Sequence, residues 1–222
     1  MNIQSRSKAF AGKGIFGCSF LYEKLSRYLK KYDIVFLLGK VFNLKLIRYM
    51  SKAMENKNYD KGYICKDPEG NILLSVDSMD ESSLNEDPLL THCLAVVKIG
   101  NEYLLGWNKW RNRFEIFGGC KENGETAREC IIRECNEELG FTSTNITYIG
   151  AMRLLLKPDF FSQKEREEVG GLYGVTLPDI SLDDLFKRIK DKEEITRLAF
   201  YSQVKETEPI AMIDELLLEY YR

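Results

Sequence analysis

Residues 118–141 read GGCKENGETARECIIRECNEELGF, and the spacing inside this stretch decides how the rest of the chain is read. Gly119 is followed after five residues by Glu125, and Glu125 after seven by Arg133-Glu134, with Glu137-Glu138 and Gly140 completing the set. With each residue type at about 5–10% of an average chain, a chance match of all seven positions has a probability on the order of one in a hundred thousand. Thr126 to Leu139 contains neither proline nor glycine, and Gly140 stands where a left-handed residue closes a helix. The stretch therefore predicts one helix entered from a glycine pair, Gly118-Gly119.

Glu134, Glu137 and Glu138 stand at i, i+3 and i+4 and share one face of that helix, whereas Ala127, Ile131, Ile132, Cys135 and Leu139 fall mostly on the opposite side. Like charges so spaced destabilise an isolated helix by roughly 0.2–0.5 kcal/mol per pair, so something else must favour them. A solvated acidic face is the ordinary reading of a glutamate trio. The fixed register with Gly119, Glu125 and Arg133 favours a divalent cation instead, because magnesium takes hard oxygen ligands and bridges carboxylates to phosphates.

The pattern Gly119…Glu125…Arg133-Glu134…Glu137-Glu138…Gly140 resembles the Nudix box, with all seven invariant letters matched. Phe141 fits one of its apolar positions, Cys135 replaces an aliphatic residue, and Phe117 stands where many members have proline. The resemblance implies an α/β fold, a Nudix-type α-β-α sandwich around a mixed sheet. It implies a MutT-like pyrophosphohydrolase that uses Mg2+ (or Mn2+) to cleave a diphosphate bond in a nucleoside diphosphate derivative by activated-water attack. Glu134, Glu137 and Glu138, with the backbone carbonyl of Gly118, would hold the metal. Glu134 or Glu137 would serve as general base, and Glu125 and Arg133 would pair and brace the loop against the helix. Members often add a carboxylate from a late loop, for which Glu194 is the candidate. The implied partner is a small-molecule, nucleotide-type substrate. A non-catalytic ligand-binding or regulatory module of the same fold is one alternative. A prenyl diphosphate isomerase-like enzyme is another, but it needs additional histidine ligands and this chain has one histidine, His92. That single histidine also excludes a multi-histidine zinc site.

Around the box the pattern alternates. Thr91–Ile99 and Glu102–Trp107 read as strands joined by a Gly100-Asn101 turn, and Arg113–Phe117 as a third strand that delivers Gly118-Gly119 to a loop. Asn145–Leu156, Gly171–Leu177 and the run Ala199–Tyr201 are further strands; Ser181–Lys190 and Ile210–Tyr221 are helical. Lys164–Glu168 and Asp191–Glu194 read as charged loops. Upstream, Tyr63–Cys65 and Asn71–Val76 flank a Pro-Glu-Gly turn as a leading hairpin, and Asp77–Pro88 reads as a polar connector. Trp107, Trp110 and Phe114 are core aromatics, or stacking partners for a base.

Residues 1–50 hold ten Lys or Arg against two acidic residues, whereas residues 51–222 hold 22 against 32, an asymmetry hidden in the total of −2. We read residues 1–56 as a basic, helical N-terminal extension and 57–222 as the hydrolase domain, with the leading hairpin at 63–76 and the core at 91–222. The acidic balance of the domain disfavours a stable nucleic-acid partner. Contact of residues 1–50 with an anionic membrane surface, and a homodimer, are compatible with this composition. Six cysteines without a CxxC pair fit reduced thiols in a cytoplasmic protein.

Overall fold

The computed structural model describes residues 62–141, 145–159 and 162–222; the basic extension at 1–56 lies outside them. Within them the chain runs β1 (Cys65–Lys66), β2 (Ile72–Asp77), α1 (Glu81–Glu86), β3 (Leu90–Ile99), β4 (Glu102–Asn108), β5 (Arg113–Glu115) and β6 (Phe117–Cys120). There follow α2 (Ala127–Glu138), β7 (Ile146–Leu156), β8 (Arg166–Leu177), α3 (Leu182–Arg188), β9 (Ile195–Phe200), α4 (Tyr201–Val204) and α5 (Met212–Leu217).

The strands form one mixed sheet in the order β1-β2-β7-β8-β3-β4-β5, parallel only between β3 and β8. β3 changes partner along its length. Val97–Ile99 pair with β4 across the two-residue turn in which Gly100 takes φ 58°, whereas His92–Ala95 pair with β6. β4 leaves β3 after that turn and pairs instead with β5 and β9.

Alternation along β3 divides the core. Cys93, Ala95 and Val97 point to the face covered by α1, α2 and α3, packing with Leu84, Ile131, Cys135 and Leu185. Val96 points to the other face and packs with Leu105, Phe114, Met152, Leu172, Ile213 and Leu217. Helices on both faces of a mixed sheet make the α-β-α sandwich.

Four expectations are corrected. The third strand is two: β5 ends at Glu115, and Ile116 turns the chain by donating its amide to Asp214 Oδ2 at 3.0 Å, so Phe117 opens β6. Gly118-Gly119 consequently lie within a strand and not in a loop. The polar connector contains α1, capped by the Asp80 side chain and pinned by Leu84, which is fully buried. Finally, Arg166–Glu168 extend β8, because Glu168 is buried and bonded while its neighbours pair with β7. The loop at 191–194 is as expected, as are the helix at 182–188 and the turn at Gly100.

Candidate active site

Both ends of α2 are fixed. Thr126 caps the helix through a reciprocal box with Glu129, the amide of Ala127 donates to Asn85 Oδ1 of α1 at 2.7 Å, and Arg128 pairs with Glu81. At the far end Gly140 takes φ 66°, as a left-handed closing residue must.

Against this helix lies the glycine pair. Gly118 has φ 135°, and a Cβ there would sit 2.1 Å from the Cys93 carbonyl oxygen, so only glycine fits. Its amide donates to Glu138 Oε2 at 2.7 Å. At Gly119 a Cβ would fall 2.7 Å from Glu134 Oε1. β6 and α2 thus approach so closely that carboxylates occupy the space side chains would fill. Glu134 and Glu138 are 1% and 4% exposed, so this part of the acidic face is not solvated. Glu137 keeps about a third of its side chain exposed and does not line the cleft described below.

Arg133 ties the stretch together. Its Nε and Nη2 donate to the two oxygens of Glu125 at 2.7 and 3.1 Å, Nη1 donates to Glu134 Oε1 at 2.6 Å, and Nη2 also donates to the Cys120 carbonyl at 2.8 Å. The hydrogen bond from Arg133 holds the Glu125 carboxyl below its ordinary range, and the same contact moves the guanidinium upward. The cysteines beside it are poor nucleophiles: burial pushes the Cys135 thiol up to about 12, and a hydrogen bond with Cys93 together with burial raises Cys130.

A cleft opens where β4 has parted from β3. Gly118, Gly119, Cys120, Glu134 and Glu138 form one wall. Glu194 lines the same cleft, 6% exposed, and accepts from Asn108 Nδ2 at 3.0 Å. The loop carboxylate and the box carboxylates Glu134 and Glu138 therefore line one cleft. Leu94, Met152, Leu154 and Leu156 supply an apolar surface. Arg111, Glu115 and Asp214 form a further charged wall, in which Arg111 Nη1 and Arg113 Nε hold the two oxygens of Glu115 at 2.5 and 2.8 Å. Burial and the charge of Glu115 push the Asp214 carboxyl up to about 7. Sequence reading missed this wall and the role of Asn108 as holder of Glu194. Its one available signal was the polar residues at the ends of β4 and β5. Of the three aromatics, Phe114 is core, Trp107 meets it edge-on at 5.2 Å, and Trp110 is exposed.

Among the described residues no three His, Cys, Asp or Glu side chains converge tightly enough to hold an ion as they stand. The donors are nonetheless of the right kind for a hard cation: two buried carboxylates, a third at the end of a facing loop, and a strand backbone stripped of side chains at Gly118-Gly119. No helix among the described residues is long and apolar enough to cross a membrane.

Comparison with known proteins agrees with the architecture. Among solved structures, the pyrophosphohydrolase BsRppH of Bacillus subtilis superposes with a TM-score of 0.50 at 17% identity, covering 70% of this chain and 93% of the other. A MutT NUDIX hydrolase from Burkholderia pseudomallei gives 0.47 at 17% identity, covering 61% and 99%. The NUDIX domain of Shewanella oneidensis NrtR, solved with ADP ribose, gives 0.46 at 16% identity, covering 64% and 96%. No curated protein matches the chain. The family model for the NUDIX domain matches residues 92–214, more than half of the chain, from within β3 to within α5. The chain belongs to the Nudix family.

Proposed function

We propose that the chain is a pyrophosphohydrolase that cleaves a diphosphate bond in a nucleoside diphosphate derivative, with Mg2+ or Mn2+ as cofactor and residues 57–222 as the hydrolase domain. The observation that carries this reading is the packing of the Glu134 and Glu138 carboxylates against Gly118-Gly119 in a cleft that Glu194 also lines.

Glu134, Glu138 and the Gly118 carbonyl would hold the cation, with Glu137 or Glu194 adding a further oxygen. The cation would neutralise the anionic diphosphate and lower the pKa of the attacking water. The protein's own part is then orientation and proton removal. Arg133, fixed by Glu125 and the Cys120 carbonyl, sets the position of Glu134 through the bond at 2.6 Å. A carboxylate takes the proton from water. Glu134 lines the cleft and Glu137 does not, which favours Glu134 over Glu137 for that step. The apolar surface of Leu94, Met152, Leu154 and Leu156 suits an uncharged portion of the substrate. A cytoplasmic location completes the reading and rests on the cysteine composition.

The test is a product-resolved screen of oxidised nucleoside triphosphates, nucleotide sugars and dinucleotides with Mg2+ or Mn2+, run on the wild type and on Glu138→Gln. Metal-dependent release of a nucleotide or phosphate product by the wild type, lost in a folded Glu138→Gln variant, is the expected result. No turnover of any class with either metal would overturn the proposal.

A further inference from the structure

The single histidine sits in the cleft and has no part in the box. His92 is 3% exposed, pairs in register with Cys120 of β6 and Gly170 of β8, and lines the cleft beside Leu94 and Met152. Thr91 Oγ1 donates to Glu168 Oε2 at 2.6 Å and lies 2.9 Å from His92 Nδ1. A hydroxyl has one proton to give. With that proton on the side of Glu168, Nδ1 supplies the one between ring and hydroxyl, and Nε2 of the neutral ring presents a lone pair. Glu168 can only accept: burial alone would raise its carboxyl, but hydrogen bonds from His92 and Thr91 outweigh that and hold it at about 2. Arg166 Nε donates to its other oxygen at 2.6 Å, and Asp159 holds Arg166 at 2.9 Å.

Nε2 bonds to no group among the described residues. Glu69 Oε2 and Tyr148 Oη are the side-chain atoms among them that are sealed from solvent with no partner; Nε2 is not sealed, so its lone pair opens on the cleft. Its surroundings are apolar. A Cβ at Gly170 would fall 2.4 Å from Nε2 and 2.8 Å from Met152 Cε, so both side chains crowd over that glycine, within the surface that Leu94, Leu154 and Leu156 continue. Elsewhere the polar lining is chiefly carboxylate, from Glu115, Glu134, Glu138, Glu194 and Asp214. Its side-chain donors already serve these groups, Arg111 on Glu115 and Asn108 on Glu194. A cleft lined with acceptors selects a group that donates, and a neutral acceptor in an apolar surface selects one without charge.

We propose that His92 is a specificity-determining residue whose Nε2 accepts a hydrogen bond from an N–H or O–H of the uncharged portion of the substrate attached to the diphosphate. This rests on the function proposed above and names what the apolar side of its cleft reads. A substrate lacking that donor would leave a buried acceptor unmet, which is how such a site rejects it.

Because the chain has one histidine, both ring nitrogens are readable without assignment in nitrogen-15 NMR of the full chain. At about pH 8, above the ordinary histidine range, the protein alone should show hydrogen on Nδ1 and none on Nε2. ADP, GDP, CDP, UDP and UDP-glucose with Mg2+ are the probes, and inorganic diphosphate with Mg2+ is the control. At least one probe should move Nε2 and leave Nδ1 nearly still, whereas inorganic diphosphate should move neither. A shift with one base assigns the donor to an N–H of that base, an equal shift with every nucleotide to a ribose hydroxyl, and a shift confined to UDP-glucose to the distal sugar. Hydrogen on Nε2 in the protein alone, or an Nε2 that no probe moves more than inorganic diphosphate does, would overturn the inference.

Two substitutions separate contact from support. His92→Asn keeps a donor toward Thr91 and places nothing at Nε2, whereas His92→Gln reaches that position with its amide oxygen. With a substrate found in the screen, His92→Asn is expected to raise KM by about 2- to 10-fold, the effect of losing one neutral hydrogen bond, with kcat less affected. His92→Gln should recover part of that loss. A merely structural histidine predicts the reverse order, and that order, or wild-type KM in both variants, would also overturn the inference. The NMR arm stands even if the screen yields no turnover, so the two proposals fail separately.

Discussion

Glu134 and Gly119 touch: a Cβ on Gly119 would lie 2.7 Å from Glu134 Oε1 and 2.9 Å from the carboxyl carbon. The backbone of Gly119 does not take a positive φ, so alanine fits it without strain, unlike Gly118 at φ 135°. Gly119→Ala therefore acts by displacing the Glu134 carboxylate and not by straining the backbone. We expect a fall in kcat on the order of 10- to 100-fold, as for displaced ligand support, and a stability loss of about 1–3 kcal/mol from overpacking. Steady-state kinetics alongside thermal melting checks both; unchanged kcat in the folded variant would show that Glu134 moves freely.

The fork of Arg133 on Glu125 is bidentate, with a third bond to Glu134 and a fourth to the Cys120 carbonyl. Lysine keeps the charge and loses that geometry. Arg133→Lys is expected to lower kcat by about 10-fold or more, and Glu125→Gln to have a smaller effect of the same kind. Since the two act through one contact, the double variant should lose less than the sum, with a coupling of about 0.5–3 kcal/mol in a double-mutant cycle. Additive losses would mean that Glu125 braces something other than Arg133.

The helix α2, its capping and its closing glycine were legible because each rests on neighbours in sequence: Thr126 with Glu129, and Gly140 after Leu139. The hairpin at Gly100 was legible for the same reason. What escaped depends on distant partners. Lys164–Glu168 read as a charged loop, yet Glu168 is buried in β8, where Thr91, 77 residues away in sequence, and His92 reach it. The break at Ile116 is set by Asp214, 98 residues on. Glu194 was reached as a candidate by resemblance, but Asn108, which holds it, carries no sequence signal of that task.

The helix α1 was missed although Asp80 followed by Ser82 and Ser83 is a capping signal, because six residues with one apolar side chain show no periodicity. That one side chain, Leu84, is fully buried among the residues that back α2. Leu84→Ala should cost about 2–5 kcal/mol. Asn85→Ala should cost about 1 kcal/mol by removing the acceptor of the Ala127 amide. Chemical denaturation measures both. A loss below about 0.5 kcal/mol for Leu84→Ala would show that α1 is not part of the cooperative unit.

Asp214 gives a pH prediction of definite sign. Its carboxyl rises from an ordinary 3.8 to about 7 in the fold, through burial and the nearby charge of Glu115. Between those values the folded protein binds more protons than the unfolded chain, so the stability this group contributes is present below pH 3.8, falls as pH rises toward 7, and stays low above it. The full shift corresponds to at most about 4 kcal/mol, shared with the carboxylate it faces. Asp214→Asn keeps an acceptor for the Ile116 amide and does not titrate. Its stability relative to wild type should therefore improve steadily from pH 4 to pH 7 and level off beyond. Glu168 works in the opposite sense and at lower pH: held at about 2 against an ordinary 4.5, it stabilises above 4.5 and loses that contribution as pH falls toward 2. Denaturation of Asp214→Asn and Glu168→Gln against wild type at several pH values separates the two windows. Parallel curves for wild type and Asp214→Asn across pH 4–7 would show that Asp214 ionises in the fold as it does in water.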